Sequence, residues 1–99
     1  MRALLNVLMS GWVFWMNVGF ADEFPFGKDK WRIEEAYESR ADCHQARADS
    51  MKKSIETLSE NGIAVKIFPA LLIHSGQDGR AFFSHYYCLP AELDPRPRG

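Results

Sequence analysis

The stretch MRALLNVLMSGWVFWMNVGFA, residues 1–21, decides how much of the 99-residue chain is available to fold. One arginine precedes a run, residues 3–18, that carries no charged side chain and is rich in Leu, Val, Met and Trp. Small residues at positions 19 and 21 then stand where a signal peptidase reads the chain, just before an acidic pair. This pattern predicts an export signal that is cleaved between Ala21 and Asp22.

The competing interpretation of the same stretch is a membrane anchor that is never cleaved. A spanning helix needs about 20 predominantly apolar residues in succession. No cluster of Lys or Arg follows the run, and five polar or flexible residues interrupt it: Asn6, Ser10, Gly11, Asn17 and Gly19. The interruptions favour a cleaved signal, no membrane attachment afterwards, and a periplasmic or extracellular location.

The charge of the remaining chain argues against two classes of partner. Removal of residues 1–21 leaves 78 residues, 22–99, which are enough for one small domain. The 12 basic residues less Arg2 give 11, against 13 acidic residues. Such a balance offers no electrostatic footprint for nucleic acid or for an anionic membrane.

Cys43 and Cys88 are the two cysteines of the chain. Two thiols in an oxidising compartment most simply pair with each other. A bond between them closes a loop of 46 residues and, in the chain-entropy model, stabilises the fold by about 4 kcal/mol. That value is close to the whole net stability of roughly 5 kcal/mol expected of so small a domain. We therefore expect one intramolecular disulfide.

Hydrophobic periodicity predicts that residues 22–99 form an α+β domain of the order β-α-β-β. A capping pattern at Ser39 and the stop signal Asn61-Gly62 delimit the helix. Residues 70–73 are either a continuation of a strand beyond Pro69 or a covering loop. The expected fold is one helix packed on a three-stranded sheet, and the sequence does not fix the order of the strands. The expected elements are a strand over 31–37, the helix over 40–60, and strands over 63–68 and 80–89.

The disulfide also predicts which side of the last strand faces the helix. Since Cys88 must face it, alternation places Phe83, His85 and Tyr87 on the opposite side of the sheet. An apolar patch of this kind usually marks an interface. We expect these three residues to bind a partner protein or a second copy of the chain. The alternative is that they are covered by a lid, formed by Phe24, Phe26, Leu71 and Leu72.

The histidines raise a second functional hypothesis, a metal-binding protein that uses His44, His74 or His85. Cys43-His44 and His85-x-x-Cys88 together contain four side chains of the kinds that structural zinc sites use. Adjacent residues on a helix diverge by about 100°, however, and an oxidising compartment favours the disulfide over thiolate ligands. We therefore expect no cofactor, and metal binding remains the alternative.

Catalytic motifs do not stand out in the sequence. Two serines, two histidines and one aspartate could be combined into a hydrolytic triad: Ser75, Ser84, His74, His85 and Asp78. No Gly-x-Ser-x-Gly turn presents either serine, however. We expect a non-enzymatic protein without catalytic residues.

The C-terminal residues 88–99 read CLPAELDPRPRG. This ending resembles the tail of small uncharacterised exported bacterial proteins, which typically end in Cys-Leu-Pro, three variable residues, Asp-Pro-Arg and a Lys- or Arg-Gly close. Those proteins are similar in a Trp-led strand and in a Phe or Tyr before Ser-x-x-x-Cys at a helix start, here Trp31, Tyr37, Ser39 and Cys43. The resemblance implies an exported, disulfide-linked domain and carries no activity to transfer.

Overall fold

A computed structural model describes residues 11–76 and 78–97 of the chain. Short 3-10 turns at Ala21–Glu23 and Lys28–Lys30 connect the first two strands. The described elements are β1 (Trp12–Phe20), β2 (Trp31–Tyr37), α1 (Arg40–Glu60), β3 (Val65–Phe68), β4 (Leu71–Ser75) and β5 (Ala81–Pro90). The strands form one antiparallel sheet in the order β2-β1-β5-β4-β3.

The expected three-stranded β-α-β-β sheet is wrong, because the described residues form a sheet of five strands. One additional strand, β1, comes from the residues assigned to the export signal, and the other, β4, follows Pro69. β3 and β4 form a hairpin in which Phe68 pairs with Leu71. Within this turn Ala70 takes a φ of 61°, a conformation for which Gly or Asn is usual. The sequence there therefore lacks the common hairpin signal.

β1 lies between β2 and β5 and is buried on both faces of the sheet. Val13, Phe14, Trp15 and Met16 are each at most 6% exposed. Burial on both faces removes the alternation of apolar and polar residues that marks a half-buried strand. A central strand of this kind and the apolar run of an export signal therefore share one hydrophobic pattern.

Two interruptions of that apolar run have structural roles in β1. Asn17 is 4% exposed, and its Oδ1 lies 2.8 Å from Nδ1 of His85 on β5. Gly19 lies against the ring of Phe26, where an added Cβ atom would come within 2.8 Å of Cε1. The approach of this ring therefore requires a glycine.

The predicted cleavage between Ala21 and Asp22 bears directly on this fold. Such a cut would remove all of β1 and leave β2 and β5 without the strand that joins them. The cleavage stays a prediction, and the five-stranded sheet is that of the chain that still contains residues 12–20. Residues 1–10, the first part of the predicted signal, lie outside the described residues.

The helix α1 covers one face of the sheet, which we call the front face. Ser39 Oγ accepts a hydrogen bond from the backbone N–H of Asp42 at 3.1 Å, so the predicted helix start has its cap. Cys43 is fully buried and bonded to Cys88, with Cα atoms 6.0 Å apart. The predicted disulfide is confirmed, and it ties the first turns of α1 to β5.

The main core lies between α1 and the front face. The half-buried side chains of Met51 and Ile55 pack against it from the helix. Tyr86 also donates a hydrogen bond from its hydroxyl to Ser54 Oγ on α1 at 3.1 Å. The buried residues of this core are Phe14, Met16, Cys43, Leu72 and Tyr86. We call the opposite side of the sheet the back face.

Candidate functional site

The back face carries the three residues predicted from the sequence to form a binding surface. Tyr86 is 1% exposed and contacts α1, so it points to the front. Its neighbours His85 and Tyr87 point to the back, as does Phe83, because successive side chains of a strand alternate. All three back-facing side chains are half-buried.

These three side chains belong to a longer aromatic row that crosses three neighbouring strands. The ring of His85 lies 5.9 Å from Phe83 and 5.8 Å from Tyr87, measured between centroids. Trp31 on β2 continues the row at 5.4 Å from Tyr87, and Trp15 on β1 follows at 6.2 Å from Trp31. We call these five residues the aromatic row. Each pair lies within the range in which aromatic rings attract one another.

The connection between β1 and β2 covers one end of the row. Phe26 is 4% exposed, and its ring lies 6.2 Å from His85. Phe24 packs edge-on against Phe26 but remains 60% exposed, while Leu72 lies in the front core. The lid considered from the sequence is therefore formed by Phe26, and Leu72 has no part in it.

The C-terminal tail covers the other end of the row. The backbone N–H of Ala91 donates to the carbonyl of Gly11 at 2.9 Å and starts the tail beside β1. The Arg96 guanidinium then lies 5.3 Å from the ring of Trp15, in cation–π geometry. Asp94 accepts two side-chain hydrogen bonds from Arg96, which lower the pKa of that carboxyl to about 2. The tail therefore places a cation on the row.

Apolar side chains remain exposed at both edges of the same back face. Ile33 on β2 pairs with Trp15 and is 49% exposed. Phe68 on β3 pairs with Leu71, which in turn pairs with His85, and Phe68 is 45% exposed. The back face therefore combines a half-buried aromatic centre with exposed apolar edges.

Burial keeps the titratable side chains of the aromatic row uncharged near neutral pH. It lowers the pKa of His85 and raises the pKa of Tyr87, so both side chains favour their neutral forms. Since Asn17 Oδ1 accepts, His85 Nδ1 is the donor in their 2.8 Å hydrogen bond. The row is therefore an uncharged surface at pH 7, apart from Arg96.

The three histidines considered as metal ligands lie apart. His44 on α1 has its ring nitrogens 3.4 Å from Arg40 Nε and 3.2 Å from Arg47 Nη2. Burial lowers the pKa of His44, and these two guanidinium groups lower it further. His74 stacks against Phe82 on the front face, whereas His85 lies on the back. The fold does not bring these rings together.

The zinc set suggested by the Cys and His spacing is also separated. Both cysteine sulfurs are used in the disulfide, and His44 and His85 belong to different faces. Within residues 11–76 and 78–97, no group of three or more His, Cys, Asp or Glu could hold a metal ion.

The front face holds a concave feature that was not predicted from the sequence. A cleft of about 510 Å³ lies between the sheet and the later turns of α1. Its lining combines apolar side chains of the sheet with hydroxyl and basic side chains. The principal lining residues are Met16, Val18, Arg32, Lys53, Leu72 and His74.

Sequence patterns missed the part of the back face that β1 supplies. Trp15 and Asn17 lie within the residues assigned to the signal, so neither was considered a site residue. The available clue was the segment WVFW, since Trp, Val and Phe favour strands. The cleft had no sequence signal, because its lining comes from α1 and four separate strands.

Comparisons with protein-family models, with curated proteins and with solved structures found no match. In the part of the chain that the structure describes, no helix has the length and apolar character needed to cross a membrane. The chemistry of the two sheet faces is therefore what bears on function.

Proposed function

We propose that this protein is a non-enzymatic, exported binding domain that associates through the back face of its sheet with a second copy of the chain. The observation that carries the proposal is the aromatic row, an uncharged strip in which all side chains but the buried Trp15 are half-buried, flanked by exposed apolar edges. Contiguous apolar surfaces of this kind usually mark protein interfaces, and homodimer interfaces are the more apolar class.

The position of the exposed edges supports a symmetric pair. Ile33 and Phe68 lie on β2 and β3, the two outer strands of one sheet. In a two-fold interface the same patch of both copies takes part, so each contact is made twice and the apolar groups at both edges can be covered by the other copy. Two such sheets would pack face to face and enclose both aromatic rows.

The disulfide supports a location outside the cytoplasm. Its presence indicates a non-cytoplasmic environment, where such bonds persist. Export also agrees with the resemblance of the C-terminal tail. The metal-binding alternative has no comparable support, since His44, His74 and His85 lie apart.

Two neighbouring residues of β3 provide a matched test of the interface. Phe68 faces the back, whereas Ile67 pairs with Leu72 on the front and is 58% exposed. We expect a dimer for the wild-type chain in light scattering after size-exclusion chromatography. Phe68→Ser should raise the dimer dissociation constant at least tenfold, because it removes an apolar anchor, and Ile67→Ser should leave it unchanged.

Unfolding measurements keep this test separate from loss of the fold. Both substitutions remove exposed side chains, so thermal unfolding of the monomer should change little. Changes at Phe83 and Tyr87 are less decisive, because these half-buried rings also pack within the aromatic row. A wild-type monomer at high concentration, or equal loss of the dimer in both β3 variants, would refute the proposal.

A further inference from the structure

The cleft on the front face is a second candidate site, and it is independent of the back face. Its volume of about 510 Å³ lies within the range of roughly 300–1,000 Å³ usual for small-molecule sites. The disulfide holds the first turns of α1 against the sheet, whereas the cleft is lined by later turns, from Ser50 to Leu58. The cleft therefore lies beyond the well-packed end of the helix–sheet interface.

The floor of the cleft is apolar. Val18 from β1, Phe82 from β5 and Leu58 from α1 line it with half-buried side chains, and the more deeply buried Met16 (β1) and Leu72 (β4) also border it. These residues come from three different strands, so they form a strip that runs across the sheet. A strip of this kind suits an alkyl chain, because each methylene group that it removes from water makes binding more favourable.

The rim of the cleft is basic. Lys53 from α1, Arg32 from β2 and His74 from β4 belong to it, and none of the described lining residues is acidic. Arg32 is already paired, since its Nε lies 2.9 Å from a carboxylate oxygen of Glu34. No described carboxylate lies within 4.0 Å of Lys53 Nζ. Lys53 is therefore the cation most available to a ligand.

Hydroxyl groups stand next to this lysine on the helix. Ser54 Oγ accepts the hydrogen bond from Tyr86, which leaves its own proton for another acceptor. Ser50 lies one turn earlier on the same side of α1 and also lines the cleft. An ammonium group beside hydroxyl donors is complementary to a carboxylate or phosphate head group.

We propose that the cleft binds a single-chain amphiphile with an anionic head group. The alkyl chain lies on the floor formed by β1, β4 and β5, and the head group is bound by Lys53 with the hydroxyl of Ser54. The charge of the rim selects the head group, and the apolar floor selects the tail.

Two adjacent lysines give a matched test of this site. Both lysines are exposed, but Lys53 lines the cleft and Lys52 is not among the lining residues. We expect calorimetry with decanoate, below its micellar concentration, to show saturable binding to the disulfide-intact chain. Lys53→Met should weaken binding about tenfold, the loss of roughly one charge-assisted hydrogen bond, and Lys52→Met should have no effect.

Matched ligands separate the parts of the proposal. Decanol keeps the tail without the charge and should bind at least tenfold more weakly than decanoate, and acetate should not bind detectably. The proposal would be overturned if decanol or decyltrimethylammonium bound as tightly as decanoate. It would also be overturned if the two lysine variants had equal effects, or if the chain bound only anionic phospholipid vesicles. A second pair of substitutions leaves the charge unchanged: Thr57→Trp should block binding in the cleft, whereas Ser59→Trp, at an exposed residue outside the lining, should not. None of these outcomes bears on the dimer, which uses the opposite face.

Discussion

The two faces of the sheet are covered in different ways. The front face lies under one regular helix that a disulfide fixes in place. The back face lies under two irregular segments, the connection that contains Phe26 and the tail that contains Arg96. A helix buries a continuous stripe and also satisfies its own backbone, whereas irregular segments cover a sheet only where single side chains reach it. The main core therefore lies at the front. Exposed apolar side chains remain at both edges of the back face, and Ile67 is exposed at one edge of the front.

β1 belongs to both faces, and its removal should have the largest effect. Phe14 and Met16 enter the front core, while Trp15 and Asn17 support the back. We expect a chain that lacks residues 12–20, by deletion or by cleavage after Ala21, to show no cooperative unfolding transition. Near-UV circular dichroism monitors the unfolding. We also expect the intact mass of exported protein to include these residues. A chain that begins at Asp22 and unfolds cooperatively would show that the back and front form without β1.

Loss of the disulfide should be the next largest effect, and it belongs to the front face. Replacing Cys43 and Cys88 together by Ser opens a 46-residue loop and should lower the free energy of unfolding by about 4 kcal/mol. Urea unfolding with and without reductant measures this. Reductant should destabilise the wild-type chain and leave the Ser variant unaffected; equal effects on both would assign the loss to another cause.

The cover of the back face can be tested at two neighbouring phenylalanines. Phe26 is 4% exposed and Phe24 is 60% exposed, although their rings contact each other. We expect Phe26→Ala to cost about 3 kcal/mol in urea unfolding and Phe24→Ala to cost less than about 0.5 kcal/mol. Similar small losses would mean that the connection contributes little, and that the back face is more open than its packing indicates.

The smallest expected effect is a dependence of the unfolding free energy on pH, to which one histidine at each face contributes. His85 at the back and His44 at the front both have a lowered pKa in the folded state. The unfolded chain therefore takes up protons first as the pH falls below about 6.5, and stability should decrease from pH 7 to pH 5. Acidic residues with a lowered pKa, such as Asp94, contribute only at lower pH.

A single substitution separates the contribution of the back face. His85→Gln should reduce the slope of unfolding free energy against pH in that interval, and the remaining slope should come from His44. The measurement is urea unfolding at half-unit steps of pH. A slope that is the same in His85→Gln and in the wild type would show that His85 does not change its protonation on unfolding.

Much of the helical layer could be predicted because its determinants are local. Ser39 caps α1 at the expected residue, and the helix ends at Glu60, just before the stop signal Asn61-Gly62. The two strands that were missed lack the alternation and the turn signals that usually mark strands in a sequence. β1 is buried on both faces and so shows no alternation, and the turn before β4 uses Ala70 where Gly is usual. Both misses follow from tertiary context that overrides a local pattern.

The candidate sites divide in the same way. The sequence by itself determined the pairing of Cys43 with Cys88 and, through strand alternation, which residues of β5 face the back, because both depend on chemistry or spacing along one segment. Only the tertiary structure decided that Trp15 and Trp31 extend the aromatic row and that Lys53 lies at the rim of an apolar cleft. These neighbours come from distant parts of the chain, and the central strand that brings them together is hidden in an apolar run.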